Sequence, residues 1–220
     1  MESPTLYVVR NEVDADCEYH CDALVSHFPD AEAVDFAAGE RFEPADADAV
    51  VLTGSTAGVY EAGDRPWIDD QAALVRELVD LSVPTLGVCF GHQIANAALG
   101  GTVERVGTTA RLVEADLDED PLFEAVESVV PAVHGDAVTE PGEGMEVIAS
   151  APHADAFGTR HRNAPLWTVQ FHPEFGAEHR DRLVDDFGWE RTALSFADAT
   201  TDRVFENFRA LATEAAAGSV

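Results

Sequence analysis

Basic residues are scarce in this chain. Only 13 Lys and Arg stand against 42 Asp and Glu in 220 residues, a formal net charge of −29. Neutralising phosphates needs clustered cations, so the shortage excludes a basic stripe, and no nucleic-acid partner is expected. Cysteine is also sparse. Cys17, Cys21 and Cys89 are too few for a disulfide framework at this length, which points to a reducing, cytoplasmic setting. No apolar run reaches the length of a membrane span and no basic-then-apolar leader precedes the first expected strand, so the chain reads as soluble, with no membrane partner. Internal repeats and low-complexity linkers are missing too. With 46% hydrophobic content the chain can bury a substantial core, and residues 1–220 read as a single domain.

The acidic excess runs from Glu2 to Glu214 and is not gathered into a tail, which argues against a dedicated acidic interaction surface. Its densest stretch, residues 114–127, is interrupted by Leu117, Leu122, Phe123 and Val126, as on a solvated face. Self-repulsion of this size destabilises a compact state in dilute buffer and keeps it hydrated at high salt. The charge therefore reads as halophilic adaptation to a saline cytoplasm.

Apolar runs and turn residues predict an α/β fold with a mixed, largely parallel central sheet flanked by helices. Strands are expected over 5–9, 31–35, 49–52 and 83–88, alternating with helices over 16–28, 68–81 and 91–99. From Gly100-Gly101 onward the pattern turns to short strands over 102–106, 111–115, 129–133 and 146–149, a mixed or antiparallel extension. A further strand runs from Leu166 toward Phe171, and helices are expected over 181–187 and 201–217.

Gly87-Val88-Cys89-Phe90-Gly91 places a lone thiol between two glycines where a buried strand runs into a helix, the pattern of a nucleophile elbow. Small neighbours let strand and helix approach, while the helix N-terminus favours a thiolate and offers a donor to a developing oxyanion. A lone cysteine is otherwise more often a buried, inert one. Downstream, Gln170-Phe171-His172-Pro173-Glu174 ends a strand in a histidine followed two residues later by a carboxylate. Alone, His172 would read as a strand-end histidine making structural hydrogen bonds. Together, Cys89, His172 and Glu174 supply nucleophile, base and the group that orients the base. Cys17 and Cys21 lie four apart near His20, but no fourth ligand is evident, so buried packing and no metal site are expected.

These segments resemble the two signature blocks of class I glutamine amidotransferases, in particular the glutaminase half of GMP synthetases and related stand-alone proteins. Leu52-Thr53-Gly54-Ser55-Thr56-Ala57-Gly58-Val59-Tyr60-Glu61, with Pro66-Trp67 after it, is similar to that family's glycine-rich oxyanion segment, and Val133-His134-Gly135-Asp136 to its fourth block. The resemblance implies hydrolysis of the glutamine side-chain amide through a thioester on Cys89, with no cofactor. It implies an oxyanion hole from the Phe90 amide and an amide of the Gly54-Ser55 loop, and glutamine recognition by Gln93, Ser55, Gly135 and Asp136. Read alone, Gln93 is a polar helix residue and Asp136 a turn residue, while His92 and His134 read as structural. The implied partner is a separate ammonia-accepting synthetase. Two features depart from the GMP synthetase pattern: Glu104-Arg105-Val106-Gly107-Thr108-Thr109 replaces an Arg-Glu-Tyr-Gly-like element, and Pro131-Ala132-Val133 lacks a polar residue before His134. A stand-alone γ-glutamyl peptide hydrolase and a catalytically silent binding protein are therefore kept as alternatives. The glycines of the 54–58 loop make it the expected moving part.

Overall fold

Strands buried on both faces need helices above and below them, and the apolar runs of this chain meet that requirement. In the computed structural model, which describes residues 5–218, β1 (Leu6–Arg10), β3 (Ala49–Leu52), β4 (Thr85–Val88) and β10 (Leu166–Val169) form the sheet centre. Every residue of β3 and β4 is buried. With β2 (Glu32–Asp35), β6 (Asp116–Leu117), β8 (Met145–Ala151) and β9 (Ala154–His161), they build an eight-stranded sheet in the order β2-β1-β3-β4-β10-β9-β8-β6. The first five strands are parallel, with Val8 opposite Val51, Leu52 opposite Gly87 and Val88 opposite Val169. The last three add antiparallel. The sheet is thus mixed and largely parallel, as the sequence leads one to expect. Beside it, β5 (Thr102–Glu114) and β7 (Val129–Glu140) form a separate antiparallel ribbon.

Alternating strand side chains divide the core between the two faces. Val8, Val51, Leu86 and Val88 pack with Leu24 of α1 (Tyr19–Ser26) and with Val204, Phe205 and Phe208 of α5 (Arg203–Gly218). Val9, Val50 and Leu52 pack with Ile68, Val75 and Leu78 of α2 (Trp67–Asp80) and with Phe90 and Ile94 of α3 (Phe90–Ala98). A smaller cluster ties the ribbon to α4 (Arg180–Phe187) through Leu112, Val133, Phe175, Leu183 and Trp189. No described helix is long and apolar enough to cross a membrane.

Four expectations are revised. The helix expected over 16–28 opens as a 3-10 turn, Ala15–Cys17, capped by the Asp14 carboxylate, and becomes α-helical only at Tyr19, so Cys17 and Cys21 do not share one helix. The strands expected over 102–106 and 111–115 are one strand, β5, whose pairing with β7 slips between Arg105 and Thr109. There Gly107, at φ 94°, lets residues 104–108 bow into solvent and the ladder resume. Its partner runs on from Val133 to Glu140. Finally, β9 has no expected counterpart, because Ala154-Asp155-Ala156-Phe157-Gly158 has little strand propensity, and it is pairing on both sides with β8 and β10 that makes it a strand.

Candidate active site

The cysteine stands where β4 turns into α3. Cys89 has φ 52° and ψ −103°, a conformation L-residues rarely adopt. It is held there by its own N–H, which donates to the Val169 carbonyl at 2.8 Å, and by its carbonyl, which accepts the Gln93 N–H at 3.0 Å. The flanking glycines are required by close approach: a Cβ on Gly87 would sit 2.5 Å from the Gly91 carbonyl oxygen, and one on Gly91 2.5 Å from that of Leu52. Phe90, fully buried, packs on Trp67 with ring centroids 5.4 Å apart and anchors the first turn of α3. Burial of such a ring contributes about 1.5–3 kcal/mol.

The strand expected to end in the histidine stops at Val169, because β10 pairs no further, and His172 reaches the same place from the loop three residues beyond it. Its Nδ1 donates to Glu174 Oε1 at 2.6 Å, and its Nε2 donates to the Val133 carbonyl oxygen at 3.1 Å. Cys89 Sγ lies 3.6 Å from that same oxygen, and Gln170 Nε2 donates to the sulfur at 3.5 Å. Phe175 stacks on the imidazole, 4.7 Å between centroids at 18°. Both ring nitrogens face groups that only accept, so this arrangement suits an imidazolium. Burial opposes that charge, but the Glu174 carboxylate and the Cys89 sulfur outweigh it and raise the pKa of His172 well above its ordinary value. Glu174 is itself buried, which works against its ionisation, yet the His172 charge holds it below the usual carboxylate range.

The third wall is the glycine loop after β3. Gly54 lies where three side chains converge: a Cβ there would be 3.3 Å from His172 Cε1, 3.4 Å from His20 Cε1 and 3.5 Å from Cys89 Cβ. The Gly54 and Ser55 amides donate to no protein group among the described residues, which leaves two free donors in the loop that meets Cys89. Ser55 Oγ accepts the Ala57 N–H at 3.0 Å. Thr56 N–H donates to Glu12 Oε2 at 3.0 Å, and Glu12 in turn holds His20 Nε2 at 2.6 Å.

A cavity of about 440 Å³ opens above Cys89 and His172. The residues the sequence nominates for substrate, Ser55, Gln93, Gly135 and Asp136, all line it, whereas Gly54, Phe90 and Glu174 do not. Gln93 Nε2 donates to the Asp136 carbonyl and to Gln170 Oε1, both at 3.2 Å, so its amide braces β7 against the residue that follows β10. The Asp136 carboxylate accepts the Tyr60 hydroxyl at 3.1 Å, and Arg105 Nε donates to that hydroxyl at 2.7 Å. Burial raises the Asp136 pKa despite those partners. His134 Nδ1 donates to the Asp136 carbonyl at 2.9 Å, while His92 is fully buried on α3 behind the elbow. The sequence assigns no role at this site to Glu12 or Phe175, offers His20 only as a neighbour of Cys17 and Cys21 and Tyr60 only within the glycine-rich segment, and shows Arg105 only as a departure from the family pattern. One signal was available: Glu12 follows the carboxyl end of a parallel strand, where open α/β sheets place their sites.

A family model described as glutamine amidotransferase class-I matches residues 11–190. The chain belongs to that family. Among relatives of this amidotransferase, a GMP synthase [glutamine-hydrolyzing] from Mycolicibacterium paratuberculosis is 35% identical over 167 residues, covering 71% of this chain and 30% of that protein. The corresponding protein of Nocardia farcinica is 37% identical over 143 residues, covering 63% and 26%. The chain thus spans about a third or less of the length of these curated relatives. A glutamine amidotransferase from Thermotoga maritima superposes with a TM-score of 0.75 at 19% identity, covering 97% of this amidotransferase and 98% of the other chain, a likeness of fold.

Proposed function

We propose that this amidotransferase hydrolyses the side-chain amide of glutamine through a γ-glutamyl thioester on Cys89. The observation that carries the reading is the convergence of Cys89 Sγ and His172 Nε2 on one carbonyl oxygen at the floor of the cavity. In the reaction the sulfur, its proton held by His172 as the imidazolium, adds to the amide carbon while the carbonyl electron pair moves onto oxygen. That oxyanion meets the Phe90 amide and the Gly54 or Ser55 amide, each worth on the order of 3 kcal/mol. Collapse of the adduct breaks the C–N bond, and the His172 proton leaves with ammonia. Water, deprotonated by His172, then cleaves the thioester to give glutamate and free Cys89. Glu174 keeps the ring oriented and balances its charge throughout. At the far end of the cavity Asp136 offers a negative partner for an α-ammonium group and Arg105 a positive one for an α-carboxylate.

The likeness to GMP synthases supports a synthetase as the ammonia acceptor. A second reading, hydrolysis of γ-glutamyl peptides, is favoured by the size of the cavity, which falls within the range for drug-sized ligands and exceeds what one amino acid needs. Steady-state kcat/KM for L-glutamine and for a γ-glutamyl dipeptide separates the two. Glutamine as the better substrate supports the glutaminase; a peptide turned over vigorously with glutamine poor decides for the hydrolase.

A further inference from the structure

The charged pair Glu12 and His20 takes no part in the reaction above, yet it borders the same cavity. Glu12 follows β1 and His20 opens α1, and their side chains are only 1% and 5% exposed. The Glu12 carboxylate is saturated. Its Oε1 accepts the Val13 and Asp14 amides, both at 2.8 Å, and the Thr56 hydroxyl; its Oε2 accepts His20 Nε2 and the Thr56 amide. On the far side of the ring, His20 Nδ1 lies 3.7 Å from Cys21 Sγ, and that sulfur is 3.3 Å from Thr53 Oγ1. The Thr53 hydroxyl also accepts the Asn11 amide at 3.0 Å.

The glycine loop is therefore tethered on both sides of its two unpaired amides, at Thr53 just before Gly54 and at Thr56 just after Ser55. Both tethers lead to the segment that joins β1 to α1. We infer that Glu12 and His20 are positioning residues that fix the Gly54 and Ser55 amides for the oxyanion, so that the loop stands ready without a partner to close it; this rests on Cys89 acting as the acyl-transfer nucleophile. A single neutral contact would hold a loop in place only loosely. Here a carboxylate gathers five donors, and hydrogen bonds to an ionised group are shorter and stronger than neutral ones. Burial opposes charge on His20, but its contacts with Cys21 and Glu12 push its pKa up to about 10, so both partners stay ionised at neutral pH. The ring also stands edge-on to His172, 6.1 Å between centroids at 79°, and its Cε1 closes on Gly54, so any shift of His20 displaces the loop beside the sulfur.

The test compares two reactions of the same sulfur. Iodoacetamide alkylates Cys89 by displacement of iodide and forms no oxyanion, whereas acylation by L-glutamine or by γ-glutamyl p-nitroanilide does. In Glu12→Gln and His20→Asn, kcat for acyl transfer should fall on the order of 100-fold, the effect of misplacing a reacting group by about 1 Å. KM and the alkylation rate should hold at their wild-type values. Thr56→Val, which removes one hydroxyl and keeps the backbone amide, should show a smaller loss in the same direction and serves if the charge variants fail to fold. Equal loss of both reactions, or no loss of kcat, would overturn the inference. A wild-type protein that alkylates at Cys89 but is acylated by neither substrate would overturn the hydrolase reading instead, and this inference with it.

Discussion

Lowering the pH should loosen this fold at His92, and the size of the effect follows from how that ring is buried. His92 sits on α3 directly behind the elbow, fully buried, with Nε2 donating to the Ala156 carbonyl at 3.1 Å and Nδ1 2.7 Å from Thr168 Oγ1. The carbonyl fixes the proton on Nε2, so the neutral ring accepts at Nδ1 from the threonine hydroxyl. Burial pushes the pKa from 6.5 down to about 3. The unfolded chain therefore takes up a proton near pH 6.5 that the folded chain refuses until about pH 3. The contribution to stability is whole above 6.5 and is lost as pH falls through that window. At about pH 4.5, two units into it, the loss is about 3 kcal/mol. Urea unfolding at fixed high salt, run on wild type and on His92→Gln at about pH 7.5 and about pH 4.5, isolates it, since the carboxylates are common to both proteins. Glutamine can still donate to Ala156 but does not titrate. The stability gap between the proteins should narrow by about 3 kcal/mol on acidification. A gap independent of pH would show that His92 does not titrate between the folded and unfolded chains.

Gly54→Ala should cut kcat/KM on the order of 100-fold with little change in unfolding midpoint, because the added methyl meets His172, His20 and Cys89 at 3.3–3.5 Å and moves the loop, not the core; activity at the wild-type level would contradict the crowding described here. Asp136→Asn and Arg105→Ala should each raise KM for glutamine while leaving kcat nearly intact, read from initial-rate kinetics, and a fall in kcat at constant KM would remove them from substrate binding. Thermal unfolding followed across a potassium chloride titration should show the midpoint rising into the molar range, since screening weakens repulsion within a net charge of −29; a flat or falling midpoint would remove the halophilic reading.

The parts of the fold legible in the sequence are those whose physics is local. Val50-Val51-Leu52 and Leu86-Gly87-Val88 announce buried parallel strands by composition alone, and the glycines two positions either side of Cys89 announce the elbow because no other residue fits that approach. His172 and Glu174 are legible because they stand two residues apart across Pro173, in the loop that follows β10. By contrast, β9 exists through its neighbours, with small residues such as Ala154, Ala156 and Gly158 drawn into pairing between β8 and β10. Glu12 and His20 carry no motif. The contact of Glu12 with Thr56 spans 44 residues and appears only when β1 and β3 lie side by side. Tyr60 and Arg105 meet in the same way, across 45 residues of chain, over the bowed part of β5.

In the proposed reaction Cys89, and neither of the other cysteines, attacks the γ-carbonyl. Cys17 and Cys21 are buried, and burial, with Glu12 and Asp14 nearby, pushes Cys17 up to about 11. The direct measurement is peptide mapping by mass spectrometry after exposure to a chloroketone analogue of glutamine, with and without excess L-glutamine as competitor. The expected result is one label per chain, on the peptide that contains Cys89, formed more slowly when glutamine is present and absent from His172→Asn within the same time. Labelling mainly on Cys17 or Cys21, or glutamate release that persists in Cys89→Ala, would exclude Cys89 as the nucleophile.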